Sequence, residues 1–336
     1  MTQNQSWNIY GHSWAVQFLQ KSLQNGRVRH AYLITGSHNI GKSLLAHAFA
    51  SALNCTHEDT MQRPCGVCRS CKLIKSGNHP DILYSVNDEK TGALRIDAIR
   101  EVMSLIALKP YSSRYRVALF HDFDRAQPRA QDALLKTLEE PPPHAVIIVM
   151  AQGLEGILPT IKSRCQVLPL RPVETNTVRQ ALLDNGAQDE QATLISRLSS
   201  GRIGWALQAM TQDSILQERA DILEMLNTAI RGNRIVRFGI AEKLSEAASK
   251  DRDSLRYLLE MWQTYWRDVL LLAQDSPIKP CNSDRMVDMQ QLTQRIQVND
   301  ALKALRSTRT MLYQTLNTNA NVRLALETLM LDYPRY

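Results

Sequence analysis

Residues Ala31 to Leu53 read AYLITGSHNIGKSLLAHAFASAL. A short apolar run, AYLIT, ends in glycine, and a helical pattern follows a few residues later. Between them GSHNIGKS, Gly36 to Ser43, is a complete match to G-x-x-x-x-G-K-[ST] in the strand-then-helix setting that the pattern needs. Gly36, Asn39 and Gly41 belong to a loop that must curl so that its backbone N–H groups face phosphate oxygens. Lys42 is placed to reach the β- and γ-phosphates, and Ser43 to offer its hydroxyl to Mg²⁺. A helix beginning at Lys42 adds its positive N-terminal end. The motif implies a bound nucleotide; it does not imply hydrolysis.

Working outward, four more apolar runs of strand length follow: DILYSV (81–86), RVALFHD (116–122), AVIIVMA (145–151) and CQVLPL (165–170). Nearly continuous apolar runs suit a sheet buried on both faces. Helical patterns such as SLLAHAFASAL and QDALLKTLEE lie between them, and this alternation predicts a parallel α/β sheet. After Arg171-Pro172 the strand signal stops and the rest reads as helix, broken at DNGAQD, SSGRIG, RGNR and SPIKPCNSD. The expected division is an α/β domain over 1–171, a small helical domain over 172–211 and a helical domain over 212–336. In the last, Ser254–Gln274 reads as a long amphipathic helix whose Trp262, Tyr265 and Trp266 suit either a core or a subunit interface. Asn321 is a candidate cap for the helix in NANVRLALETLML.

Six cysteines are present, four of them clustered. Cys55, Cys65, Cys68 and Cys71 follow C-x9-C-x2-C-x2-C. Thiolates at such spacing wrap one tetrahedral Zn²⁺ at about 2.3 Å, and four of them close its shell, so the role expected is structural. Cys165 and Cys281 stand alone and read as ordinary packing or surface residues.

At 336 residues the chain is too long for one ordinary core. Its net charge of +7 comes from scattered Lys and Arg interleaved with acids, which permits an acidic partner without indicating one. No apolar run has membrane-spanning length, and MTQNQSWNIYGHS lacks a secretory pattern, so a cytoplasmic location is expected.

The phosphate loop, the Cys₄ cluster, LLKTLEEPP (134–142) and SRC (163–165) occur together. In this combination the chain resembles the clamp-loader subunits of bacterial DNA polymerase III, which are AAA+ proteins. The resemblance covers most of the first 210 or so residues. It implies an AAA+ core, a helical lid and a C-terminal collar. It also implies a five-subunit ring with gamma/tau and delta partners that uses ATP to place a sliding clamp on primed DNA. Arg164 of SRC maps to an arginine finger acting in trans on a neighbour's ATP; a forked, permanent cation suits charge building on the γ-phosphate.

The resemblance also exposes departures. In ATP-hydrolysing relatives the strand matching VALFHDFDRA (117–126) ends in two adjacent acids. Here His121 stands at the first position and Asp122 at the second, and imidazole is a poor partner for Mg²⁺. A one-residue slip would bring Asp122 to the metal but put Phe123 in the catalytic place. In the lid, SSGRIGWAL (199–207) places Gly204 where active subunits carry an arginine. Arg202 comes two residues early, about 200° away around a helix of 3.6 residues per turn. Ala151 and Gln152 replace the usual sensor Thr or Asn. The expectation is therefore a subunit that binds ATP or ADP and turns over little. The alternative is an active gamma/tau-type ATPase, and a free-standing zinc-bearing nucleic-acid-binding protein is a third reading, disfavoured because no aromatic–basic stripe is present.

Overall fold

The five apolar runs form five strands: β1 (Ala31–Thr35), β2 (Ile82–Tyr84), β3 (Arg116–Phe120), β4 (Ala145–Ala151) and β5 (Gln166–Pro169). They come from a computed structural model that describes residues 7–88, 93–317 and 321–335. All pairings are parallel, in the order β2-β3-β4-β1-β5. Leu33 of β1 pairs with Val149 on one side and Val167 on the other.

Strand periodicity explains why the runs are apolar throughout. Tyr32, Ile34, Val117, Leu119, Val146 and Ile148 face one core. Their alternates Leu33, Ala118, Phe120, Ile147 and Val149 face a second core. The first is covered by α1 (Ser13–Gln24), α2 (Lys42–Asn54) and α3 (Arg69–Lys75), through Val16, Leu19, Leu45, Phe49 and Ile74. The second is covered by α4 (Ile96–Ile106), α5 (Pro128–Glu139) and the short α6 (Pro159–Lys162), through Ile99, Ile106, Leu134, Leu138 and Ile161. Each such side chain, fully buried, contributes roughly 1.5–3 kcal/mol.

The remaining helices are α7 (Thr175–Asp184), α8 (Asp189–Leu198), α9 (Ile203–Thr211), α10 (Asp213–Arg231), α11 (Arg234–Lys250), α12 (Arg252–Ala273), α13 (Met286–Thr293), α14 (Val298–Asn317) and α15 (Val322–Asp332). The chain separates into two compact units, Met1–Ala181 with Gly201–Trp205, and Leu182–Ser200 with Ala206–Tyr336. The short return of Gly201–Trp205 to the first unit was not anticipated from sequence.

The second unit has its own core. Trp262 and Trp266 of α12 are fully buried among Leu226, Met289, Ala304, Leu326 and Tyr333. Trp262 Nε1 donates to Ile222 O at 3.0 Å, and Tyr333 meets Thr308 Oγ1 at 2.8 Å. The aromatic group read from the sequence is therefore core. Asn321 caps α15, its side chain accepting from Leu324 N at 3.2 Å; Asn319 and Ala320 lie outside the described residues. One feature had no sequence signal. The buried Arg237 guanidinium donates to Ala229 O, Ile230 O, Met330 O, Tyr333 O and Pro334 O at 2.6–3.0 Å. It thereby satisfies carbonyls at the C-terminal ends of both α10 and α15, where a cation also opposes the helix dipole.

Candidate functional site

Ligands of parallel α/β sheets sit beyond the carboxyl ends of the strands, and the phosphate loop lies there, between β1 and α2. Gly36 N donates to Ala151 O at the end of β4. Gly41, at φ 111°, is the residue before α2, and no L side chain adopts that angle without strain. Asn39 takes φ 57°, a left-handed conformation that asparagine tolerates. Lys42 Nζ folds over the loop and donates to Gly36 O at 2.7 Å and Ser37 O at 2.9 Å. The first turn of α2 holds no acid that would oppose an anion. His12 supports the loop from outside, its Nε2 donating to Ile40 O at 3.0 Å. Burial holds the His12 imidazole below its ordinary pKa.

Facing Ser43 is His121, immediately after β3, with Nδ1 3.4 Å from Ser43 Oγ. Of the two registers that the sequence allowed, the structure adopts the one that sets imidazole beside the serine. The slipped register is closed because Phe123 is fully buried, edge-on to Phe120 at 5.8 Å. Asp122 has φ 44° and opens a single 3₁₀ turn, Phe123–Arg125. Asp124 Oδ1 accepts from Gln152 N at 3.3 Å, so the acid two places on is joined to the sensor position. Sequence reading missed His47. One helical turn after Ser43, it donates through Nδ1 to Ser43 O at 2.7 Å, stacks on Tyr84, and lies 6.1 Å from the His121 ring. Burial, then the charges of His47 and Lys42, lower the His121 pKa against the opposing pull of Asp122.

Gly204 lies directly over the loop. Its N–H donates to Asn39 O at 2.8 Å, and a Cβ there would sit 2.7 Å from that same oxygen. Helix α9 starts at Ile203, so Arg202 precedes the helix instead of lying on its far side. Its side chain is buried with the guanidinium 5.8 Å over the Trp205 ring.

The four clustered cysteines converge. Their Sγ atoms all lie within 4.8 Å of one another, although Cys55 ends α2 and Cys68 caps α3. Tetrahedral Zn–S bonds of about 2.3 Å put sulfurs roughly 3.8 Å apart, so the donor set fits zinc. Backbone N–H groups of Cys65, Cys68 and Cys71 each point at a neighbouring sulfur at 3.4 Å. Burial pushes the Cys55 and Cys71 thiols up. At Cys68 burial acts the same way, but hydrogen bonds from Cys71 and Thr56 outweigh it and bring the thiol down to about 6. A cation at the centre would favour all four thiolates. The module is tied to the sheet by His79, whose Nε2 lies 3.1 Å from both Ser70 Oγ of α3 and Ser113 Oγ. The neighbouring Asp81 is buried and accepts from Tyr111 N and Ser112 N at 2.6 and 2.9 Å.

Arg164 lies just past α6. One nitrogen donates to Glu139 Oε1 at 2.8 Å and another to Thr160 O at 3.0 Å. Both partners of the ion pair are partly in water, at 35% and 53% side-chain exposure. Such a pair contributes no more than about 1 kcal/mol, so a stronger anion can displace it. Behind α6, the buried Gln131 donates to Ala126 O and Gly156 O and accepts from Leu158 N, fixing the loop from which α6 starts. Sequence reading missed that residue as well.

A parallel sheet with this phosphate loop beyond its interior strand β1 defines a P-loop, nucleotide-binding type of fold. Residues 11–174 match the family described as DNA polymerase III, delta subunit. The delta' subunit of Bacillus subtilis is 26% identical over 321 residues, 94% of each chain. The tau/gamma subunit of Haemophilus influenzae is 31% identical over 175 residues, 52% of this chain but 25% of that one. A solved Thermotoga maritima gamma-subunit-related protein aligns over 94% of this chain and 97% of its own, at 18% identity and a TM-score of 0.45. The chain is thus similar to DNA polymerase III clamp-loader subunits, and its similarity to the delta' relative runs nearly end to end. Among the described residues no helix is long and apolar enough to cross a membrane.

Proposed function

We propose that this chain is a nucleotide-holding, non-hydrolysing wall of a clamp-loader ring. It joins gamma/tau and delta subunits in a five-membered assembly in the cytoplasm. Arg164 serves a neighbour's ATP there while the ring loads a sliding clamp onto primed DNA. The domains are an AAA+ domain over 1–171, a lid over 172–211 and a collar over 212–336. Cys55, Cys65, Cys68 and Cys71 hold a structural zinc. Gly36, Asn39, Gly41, Lys42 and Ser43, with Asp122 nearby, form the place for ATP or ADP.

The observation that carries this reading is a complete phosphate loop faced by imidazole where a hydrolysing subunit needs carboxylates, with His121 Nδ1 3.4 Å from Ser43 Oγ. Losing the oriented water costs on the order of 10²-fold or more in rate. A gamma/tau-type ATPase is favoured by the 31% identity to the Haemophilus subunit. It is disfavoured by Gly204, which leaves no room for a lid arginine. The pure chain is expected to show no turnover above background in a steady-state phosphate-release assay, whereas its mixture with gamma/tau and delta hydrolyses ATP when clamp and primed DNA are added. Brisk turnover by the lone chain would reject the proposal.

A further inference from the structure

Mg²⁺ demands near-octahedral oxygen ligands at about 2.0–2.1 Å. The donor set at the end of β3 does not fit it. The Ser43 hydroxyl faces the His121 imidazole nitrogen, His47 binds the Ser43 carbonyl from the next turn of α2, and the two rings stand 6.1 Å apart. Tyr84 closes the far side by stacking on His47. A hard, strongly hydrated cation gains little from two imidazoles and an aromatic face, and of the two acids that follow β3, Asp122 opens the 3₁₀ turn and Asp124 Oδ1 already accepts from Gln152 N.

The lid side departs in a complementary way. Gly204 is held against Asn39 by a backbone hydrogen bond, and the atom that a side chain would strike is the Asn39 carbonyl oxygen, not a movable side-chain tip. No side chain can extend from that position toward a γ-phosphate unless the loop backbone shifts. The metal and the lid arginine are two of the groups that would report the γ-phosphate from within this chain, and a third, the Lys42 ammonium, is drawn back onto Gly36 O and Ser37 O. What remains is the loop N–H set and the N-terminus of α2, and these hold phosphates that ATP and ADP share.

We infer that the site takes nucleoside di- and triphosphates alike, as metal-free anions: a nucleotide site blind to both Mg²⁺ and the γ-phosphate. The inference rests on the nucleotide reading above. The test is competition of ATP and ADP against a fluorescent ADP analogue on the zinc-loaded full chain, with excess MgCl₂ or in buffer freed of divalent ions by resin. A chelator is avoided because it would strip the cysteine cluster. Kd is expected to change by less than about threefold between the buffers and between the nucleotides. One intact charge-assisted contact would move it about tenfold or more. Mg²⁺ tightening ATP more than about tenfold, or ATP outcompeting ADP by that factor, would overturn the inference while leaving the nucleotide reading intact. Absence of competition in both buffers would overturn the nucleotide reading and the inference with it. In His121→Asp, which returns a carboxylate beside Ser43, Mg²⁺ is expected to tighten ATP about tenfold. Indifference of that variant to Mg²⁺ would remove His121 as the cause.

Discussion

Replacing Arg164 with alanine separates a residue that acts on a neighbour from one that holds its own fold. In the chain itself the guanidinium makes one ion pair, to Glu139 Oε1 at 2.8 Å, and hydrogen bonds to the Thr160 carbonyl and, at 3.5 Å, the Ser163 hydroxyl. The side chains are 35% and 53% exposed, so water replaces what is lost and the pair counts for no more than about 1 kcal/mol. The unfolding temperature of the Arg164→Ala chain should therefore fall by only about 1–2 °C for a chain of this size. Assembly with gamma/tau and delta should be unchanged by size-exclusion chromatography. Arginine fingers supply roughly 10³–10⁵-fold in rate at the site they serve. Single-turnover hydrolysis in the assembled complex should thus lose one fast phase, because one of several ATP sites would be silenced. Arg164→Lys should rescue little, since ammonium keeps the charge but not the planar fork. Glu139→Ala should leave hydrolysis near wild type, because the pair is a resting partner. Unchanged hydrolysis and clamp loading with Arg164→Ala would refute the trans role. So would a stability loss above about 2 kcal/mol, which would mean a structural residue.

Two further outcomes follow from the same geometry. Replacing Cys68 with serine should release the metal, measured by elemental analysis as loss of about one zinc per chain, and should lower the unfolding midpoint in urea; full retention of zinc would contradict the four-thiolate site. The imidazoles of His12, His79 and His121 are all held below their ordinary pKa, chiefly by burial. The unfolded chain takes up those protons first, so stability is complete above pH about 6.5 and is lost as pH falls through the folded-state values. Denaturant titrations across that window should show this slope, each group adding up to about 1.36 kcal/mol per pH unit, and His79→Gln should flatten it. A stability that rises on acidification would reverse the sign and reject the assignment.

The strands, the phosphate loop and the cysteine cluster were legible in the sequence because each is a local pattern. Apolar runs of strand length can bury both faces only in a sheet covered by helices. Gly41 needs its angle wherever the loop folds, and cysteines two residues apart already share one reach. Cys55 was legible only by count, since the chain must turn from the end of α2 through Arg63 and Pro64 before the four sulfurs meet. What no local pattern carries is a contact between distant segments whose residue types are individually ordinary. His47, Gln131 and Arg237 are of that kind: one completes a pair with His121, one fixes the base of α6, and one gathers five carbonyls at the ends of two helices.

The sequence by itself determined the class of the fold, the loop that can grip a phosphate and the absence of the expected acids, because these reside in residue identity and spacing. Tertiary structure alone decided which register β3 adopts, because only the packing of Phe123 against Phe120 closes the other one. It alone decided that Gly204 lies on the phosphate loop, since a distance of 2.8 Å between residues 39 and 204 is fixed by how the chain returns to the sheet and not by the residues between.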